Sequence, residues 1–315
     1  MIQDPAPTVP ETLAAYPCLT KIAVEVLANW PEHATFLAMR FADREDPTLP
    51  LSEEMARLVL KLMRSKIPSY CDGYRWICET FVHEDLFFRR HGRYRLSSFA
   101  EAYEQVYARQ DYMDNYLKGI LLSQILWANQ AHSFQFYVDR FLAKLPVTAD
   151  YLEVGPGHGL LMYFASQSLA KGTVTGWDAS QSSIDMTRQM LETMNVSRPC
   201  RLELGDVQET PPVTDSFDAV AVSEVLEHLE RPEAALRTVH RVLKKAGLAF
   251  FNVPVNSPAP DHIYLWRSPE EVEDLVRNSG FTIVDHAAVA CTGYDLERAK
   301  RRKVTINSLI VAQRA

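Results

Sequence analysis

Through the second half of the chain, short apolar runs alternate with stretches of helical periodicity, a pattern that predicts strands and helices in turn. Tyr151 to Val154 is an apolar run ending in Gly155-Pro156-Gly157-His158-Gly159. Glycines at the carboxyl end of a strand let the backbone turn tightly and let a ligand lie against bare main chain, and the next helix N-terminus adds partial positive charge. A second run, Gly172 to Trp177, ends in Asp178; a helical segment follows over Ser180 to Asn195, then a third run, Cys200 to Leu204, before Gly205-Asp206. Ser216 to His228 reads as a fourth strand with its loop, Arg231 to Leu243 as a helix, Lys244 to Gly247 as a turn and Leu248 to Val253 as a fifth strand. Pro254 to Pro260 is proline-rich loop. Ser268 caps a helix that has Pro269 at its first position and acids in its first turn, and Asn278-Ser279-Gly280 ends it. Phe281 to Val284 and Val304 to Ala312 are the last two strands, with the basic run Arg298 to Lys303 as a solvated hairpin face between them.

Residues 1–145 have a different texture, mostly helical in period and rich in aromatics, and are read as a separate domain or a large cap over the domain at 146–315. Leu51 to Met63 and Tyr74 to Phe81 carry apolar helical patterns, and His83 to Ser98 reads as two strand-like runs about a turn at His91-Gly92. Helix, helix and basic hairpin look like a winged helix. Tyr103 to Tyr137 then concentrates Tyr107, Tyr112, Tyr116, Trp127, His132, Phe134, Phe136 and Tyr137. Aromatics at helical spacing are commonly core, but rings with polar tips can also orient a ligand and exclude water.

The glycine turn resembles the first motif of class I S-adenosylmethionine (AdoMet) methyltransferases. A nicotinamide-binding fingerprint would put its third glycine at position 160, where Leu160 stands. The order of strand, glycine turn, helix, strand-Asp, helix, strand-Gly-Asp, strand, helix and strand matches that family. The resemblance implies a Rossmann-like, seven-stranded α/β domain whose last two strands form an antiparallel edge pair, preceded by the mostly helical region. It also implies AdoMet as cofactor, held by Glu153, Gly155, Pro156, Gly157 and Gly159, by Asp178 and Ala179 at the ribose, by Asp206 and Val207 at the adenine, and by Ser223 and Glu224 near the methionine end. The amino-terminal region resembles, loosely and over roughly residues 50–110, the dimerisation domain of two-domain small-molecule O-methyltransferases. That implies a homodimer, with helices before the first strand walling the substrate pocket.

Methyl transfer needs a nucleophile in line with the methyl group and, for a hydroxyl or carbon acceptor, removal of a proton. The candidates for the base are His262, beyond the fifth strand on the substrate side of such a fold, His228 in a Glu-His pair, and His132 on an apolar helix. Tyr116, Trp127, Tyr137, Tyr264 and Trp266 are expected to wall the substrate. Ser223, Glu224, Glu227 and His228 do not reproduce the carboxylate and amide cluster of the metal-dependent catechol type, so no metal is expected.

Composition narrows the partners. Net charge is −7, and up to residue 146 the 16 basic and 18 acidic residues nearly cancel, which disfavours nucleic acid as partner. Five scattered cysteines show neither disulfide nor zinc spacing, no apolar run reaches the ~18 residues needed to span a bilayer, and the first residues lack an export signal, so a cytoplasmic protein is expected. A small organic acceptor, in secondary-metabolite biosynthesis, is the expectation; the alternatives are a protein or peptide methyltransferase and a non-catalytic AdoMet-binding regulator using the winged helix. Whether oxygen, nitrogen or carbon is methylated stays open at this point.

Overall fold

The computed structural model describes residues 9–209 and 213–315. Residues 1–8, where the chain was read for an export signal, lie outside them. Among the described residues no helix is long and apolar enough to cross a membrane.

The amino-terminal region is built of helices α1 (Pro17–Asn29), α2 (Ala34–Arg40), α3 (Leu49–Met63), α4 (Ile67–His91), α5 (Phe99–Ala102), α6 (Gln110–Leu126) and α7 (Ala128–Phe136). Then follow β1 (Tyr151–Val154), α8 (Leu160–Ser168), β2 (Val174–Asp178), α9 (Gln181–Thr193), β3 (Cys200–Leu204), β4 (Phe217–Ser223), α10 (Pro232–Val242), β5 (Leu243–Val255), α11 (Pro269–Asn278), β6 (Phe281–Ala290), α12 (Leu296–Arg302) and β7 (Ile306–Arg314). The seven strands form one sheet in the order β3-β2-β1-β4-β5-β7-β6. Pairs from β3 to β5 are parallel, whereas β7 runs antiparallel to both β5 and β6. Because the strand order reverses between β1 and β4, their carboxyl ends splay and leave a crevice, where ligands bind in open sheets of this kind.

The expected wing is absent among the described residues: His83 to His91 continues α4 instead of forming a strand. Tyr70, Tyr74, Ile77, Glu84 and Phe88 are buried at helical intervals, so the core-facing stripe never breaks before Gly92. That glycine, at φ 66°, is the left-handed residue that ends the helix, its N–H bonding to the Phe88 carbonyl. The basic run is likewise helix, not hairpin. The Asp295 side chain accepts the Arg298 N–H at 2.8 Å, caps α12 and buries Ala299. Pro254 and Val255 still belong to β5, opposite Asn307 and Ile306, so the loop starts at Asn256.

Helices and sheet share a core. Tyr137, Phe136 and Phe141 lay their rings against Phe250 of β5 at centroid distances of 5.3, 6.2 and 5.7 Å. On the opposite face α10 and α11 bury Leu236, Val239, Val272 and Val276. Within the helical region α4 crosses α6 at facing glycines: a Cβ on Gly119 would lie 2.7 Å from both the Gly73 carbonyl oxygen and Ile77 Cγ2. Gly119→Ala gains up to ~1 kcal/mol of helix propensity but overpacks the crossing by typically ~1–3 kcal/mol. Net loss of stability is expected in urea unfolding, and an unchanged or raised midpoint would refute this account of the crossing.

Candidate active site

A cavity of about 420 Å³ fills the crevice, running from the glycine turn to the inner faces of α6 and α7. The turn takes Gly155 and Gly157 to φ 71° and 51°. A Cβ on Gly155 would stand 2.5 Å from Val225 Cγ2, so the residue admits no side chain; at Gly157 a Cβ would meet nothing nearer than 3.9 Å and would project into open space. Gly159 does not line the cavity. It precedes α8 with its Cα against Thr187 of α9, so its lack of a side chain serves packing and not, as expected, a cofactor contact.

The other residues expected at the cofactor all line the cavity: Glu153, Pro156, Asp178, Ala179, Asp206, Val207, Ser223 and Glu224. Asp178 ends β2, where its carboxylate accepts the Ser180 N–H at 2.8 Å and the Gly157 N–H at 3.4 Å. Burial pushes its pKa up to about 6. Glu153, buried within β1, accepts the Tyr151 hydroxyl at 2.8 Å; burial raises it to about 8. Glu224, at a positive φ of 55°, accepts from Asn307 Nδ2 at 2.5 Å, and burial again raises its pKa. Asn307 also meets Asn252 and Asn129, each at 2.8 Å, which ties β7, β5 and α7 together beneath Glu224.

At the far end the loops after β4 and β5 come together. The Glu227 carbonyl accepts the N–H groups of both Ile263 and Tyr264 at 2.9 Å, which sets Asp261 and His262 beside His228. His228 Nδ1 lies 3.2 Å from the Asp261 carbonyl and 3.1 Å from the Tyr107 hydroxyl. Tyr107 and Tyr116 donate to the two Asp261 carboxylate oxygens at 3.1 and 3.3 Å. His262 Nδ1 is 2.6 Å from the Ser257 carbonyl, and burial together with the neighbouring His228 pushes its pKa down to about 3. The two imidazoles stand 4.8 Å apart, edge to face.

His262, His228, Tyr116 and Trp127 thus line the cavity as expected. Four of the expected residues do not. His132 sits half-exposed on α7 with Nε2 3.9 Å from Asp46, because α7 turns its Asn129 and Gln130 to the cavity and His132 to Arg40 and Asp46. Tyr137 is buried behind β1, its hydroxyl 2.8 Å from that of Tyr151, so it supports Glu153 indirectly instead of walling a substrate. Tyr264 and Trp266 stack on each other at 4.5 Å in the core on the α10–α11 face, since the backbone bonds at Glu227 turn them away from the crevice. In their place Tyr107, Asp261, Gln130 and Asn307 face the cavity. Asp261 was signalled only by its adjacency to His262, and Asn307, in mid-strand, by nothing.

The lining suits AdoMet. The bare main chain at Gly157 accepts a close ligand, and Glu153, Asp178 and Glu224, each with its pKa raised by burial, face one cavity where a ligand carrying a sulfonium and an ammonium would offset their charge. The residues that would hold it are Asp178 and Asp206 on the adenosine side and Glu224 with Gln130 on the methionine side.

Comparison with known proteins agrees with this geometry. Residues 152–251 match the family described as "Methyltransferase domain". The ubiquinone biosynthesis O-methyltransferase of Coxiella burnetii is 30% identical over 129 residues, 40% of this chain and 51% of that protein, so this chain spans about half the length of that relative. The protein of the same name from Rhizobium leguminosarum bv. trifolii is 30% identical over 190 residues, 52% of this chain and 71% of its own length. A crystal structure of a candidate sarcosine dimethylglycine methyltransferase from Galdieria sulphuraria shares the fold, with a TM-score of 0.50 at 13% identity over 60% of this chain and 86% of that one. With the Rhizobium relative, the matching domain and the 3-2-1-4-5-7-6 sheet, the chain belongs to the class I AdoMet-dependent methyltransferases, its methyltransferase domain preceded by an all-helical region.

Proposed function

We propose that the protein transfers the methyl group of AdoMet to a hydroxyl of a small organic acceptor, as a step in biosynthesis. The observation that carries this reading is the continuity of one cavity from the glycine turn to the Glu227–His228–His262 group, closed over by Phe81, Phe99, Tyr103, Tyr107, Tyr116 and Trp127. A deep chamber roofed by aromatic rings fits a small acceptor better than an extended peptide. A polar cluster at its end fits an acceptor that must lose a proton, and the O-methyltransferases among the relatives favour oxygen.

AdoMet, when bound, supplies a methyl group already activated by the positive sulfur. The chain's own residues do the remainder. Asp178 accepts from the ribose hydroxyls, Asp206 and Val207 border the adenine, the aromatic roof excludes water, and the Glu227–His228–His262 group as a whole holds the acceptor hydroxyl and assists departure of its proton.

Incubation with AdoMet and a fractionated metabolite extract is expected to yield S-adenosylhomocysteine and a small molecule heavier by one methylene; a methylated protein band, or tight AdoMet binding without turnover, would overturn the reading. His262→Ala is expected to lower turnover by roughly 10²–10⁴ with AdoMet affinity unchanged. Asp178 must be ionised to accept both hydroxyls, and its pKa of about 6 means that it takes up a proton as pH falls through that value. AdoMet affinity measured by calorimetry should therefore show a limb near pH 6 that weakens binding towards ~10-fold per unit below it, separate from proton uptake by Glu153 near pH 8. In Asp178→Ala the limb near pH 6 should vanish and binding at neutral pH should be weaker by ~1.5–3 kcal/mol, the difference from the natural protein closing as pH falls below 6. A limb that survives the substitution would remove Asp178 from this role. We also propose a homodimer, supported by apolar side chains exposed on the helical region, Val24, Val82 and Leu86 among them. Light scattering should return twice the chain mass, and one chain mass at micromolar concentration contradicts it.

A further inference from the structure

Glu227 is fully buried, and neither of its carboxylate oxygens has a hydrogen-bond partner among the described residues. An ionised carboxylate left in this state is costly, so a proton or a cation must complement it. What faces it is informative. His228 Nε2 lies 3.6 Å and His262 Nε2 3.9 Å from Glu227 Oε1, and one ligand atom from each of the three residues falls within 4.8 Å of the others.

The partners of the two rings fix which nitrogens carry protons. The Ser257 carbonyl can only accept, so His262 Nδ1 is the protonated nitrogen. The Asp261 carbonyl can only accept, and the Tyr107 proton is directed to the Asp261 carboxylate, so His228 Nδ1 is the donor as well. Each ring thus turns its Nε2 towards the Glu227 carboxyl group. With both rings neutral and Glu227 ionised, three acceptors converge on one point, where a cation would satisfy all of them. Each histidine, moreover, has its far nitrogen anchored by a carbonyl, the arrangement that orients imidazoles towards a metal.

From this convergence we propose that Glu227, His228 Nε2 and His262 Nε2 form a binding site for one divalent transition-metal ion of the zinc type, with its open position facing the acceptor end of the cavity. Two imidazoles and one carboxylate are a ligand set that such ions accept in sites keeping a fourth position for water or substrate. Bonds of ~2.1 Å at tetrahedral angles separate ligand atoms by roughly 3.4 Å, so small rotations of these side chains close the set. The expectation of a metal-free site rested on Ser223, Glu224, Glu227 and His228 alone; His262, 34 positions beyond His228 in the chain, is brought beside them by the fold. That the ion holds the acceptor oxygen rests on the function proposed above, whereas the ion site itself does not.

Zinc binding is therefore measured with no AdoMet or acceptor present. The full-length protein is stripped with chelator, titrated with Zn²⁺ by calorimetry, and its bound metal counted by mass spectrometry after desalting. One Zn²⁺ per chain is expected, lost in Glu227→Gln and in His262→Gln. AdoMet affinity and the thermal midpoint of each variant verify that it is folded. The proposal is overturned if the stripped protein takes up no stoichiometric Zn²⁺, which would leave a proton shared between Glu227 and a histidine as the complement. It is equally overturned if uptake persists in both ligand variants, as binding by the free cysteines would make it. Either result leaves the methyl-transfer reading intact, and failure of turnover with a zinc-loaded protein would instead count against that reading alone.

Discussion

The site depends on one main-chain acceptor. The carbonyl of Glu227 takes the N–H groups of Ile263 and Tyr264, each at 2.9 Å, and so binds the loop after β4 to the loop after β5. Each such bond contributes only about 0.5–1.5 kcal/mol net, but the geometric effect is larger than the energy suggests. It puts His262 against His228, turns Tyr264 and Trp266 into the core, and presents Asp261 to Tyr107 and Tyr116. Through those two hydroxyls the helical region is fastened to the carboxyl edge of the sheet, and the cavity gains its roof.

A second constraint is electrostatic. Glu153, Asp178, Glu224 and Glu227 all border or underlie one cavity, and burial raises the pKa of every one of them. Carboxylates withdrawn from water in this number are costly unless cations accompany them. The positive groups of AdoMet would offset Glu153 and Glu224, its ribose hydroxyls would satisfy Asp178, and the proposed metal ion would offset Glu227. The crevice is thus a receptor for positive charge under an apolar lid, and ligands that bring such charge stabilise the folded chain by mass action.

What the sequence disclosed follows from range. The glycine turn and Asp178 are local signals, since each residue's role is set by a strand end and the helix next to it, and the sheet order followed from their succession. The wing was misread because Gly92 and the basic residues around it suggest a hairpin, while the buried stripe through Glu84 and Phe88 that decides for helix depends on tertiary burial. Tyr137 and Trp266 looked like substrate walls because aromatic residues near a crevice carry no mark of which side they face. Glu227 lay beside a noticed histidine, yet its lack of a hydrogen-bond partner among the described residues exists only once residues 257–264 fold back over it.

A crystal structure with S-adenosylhomocysteine bound tests the central claim most directly. The account expects the adenosine across Gly157, between Asp178 and Asp206, with the thioether sulfur open towards the Glu227–His228–His262 group beneath Tyr107 and Tyr116. A ligand whose sulfur faces away from that group, or is walled off from it by protein, would contradict it.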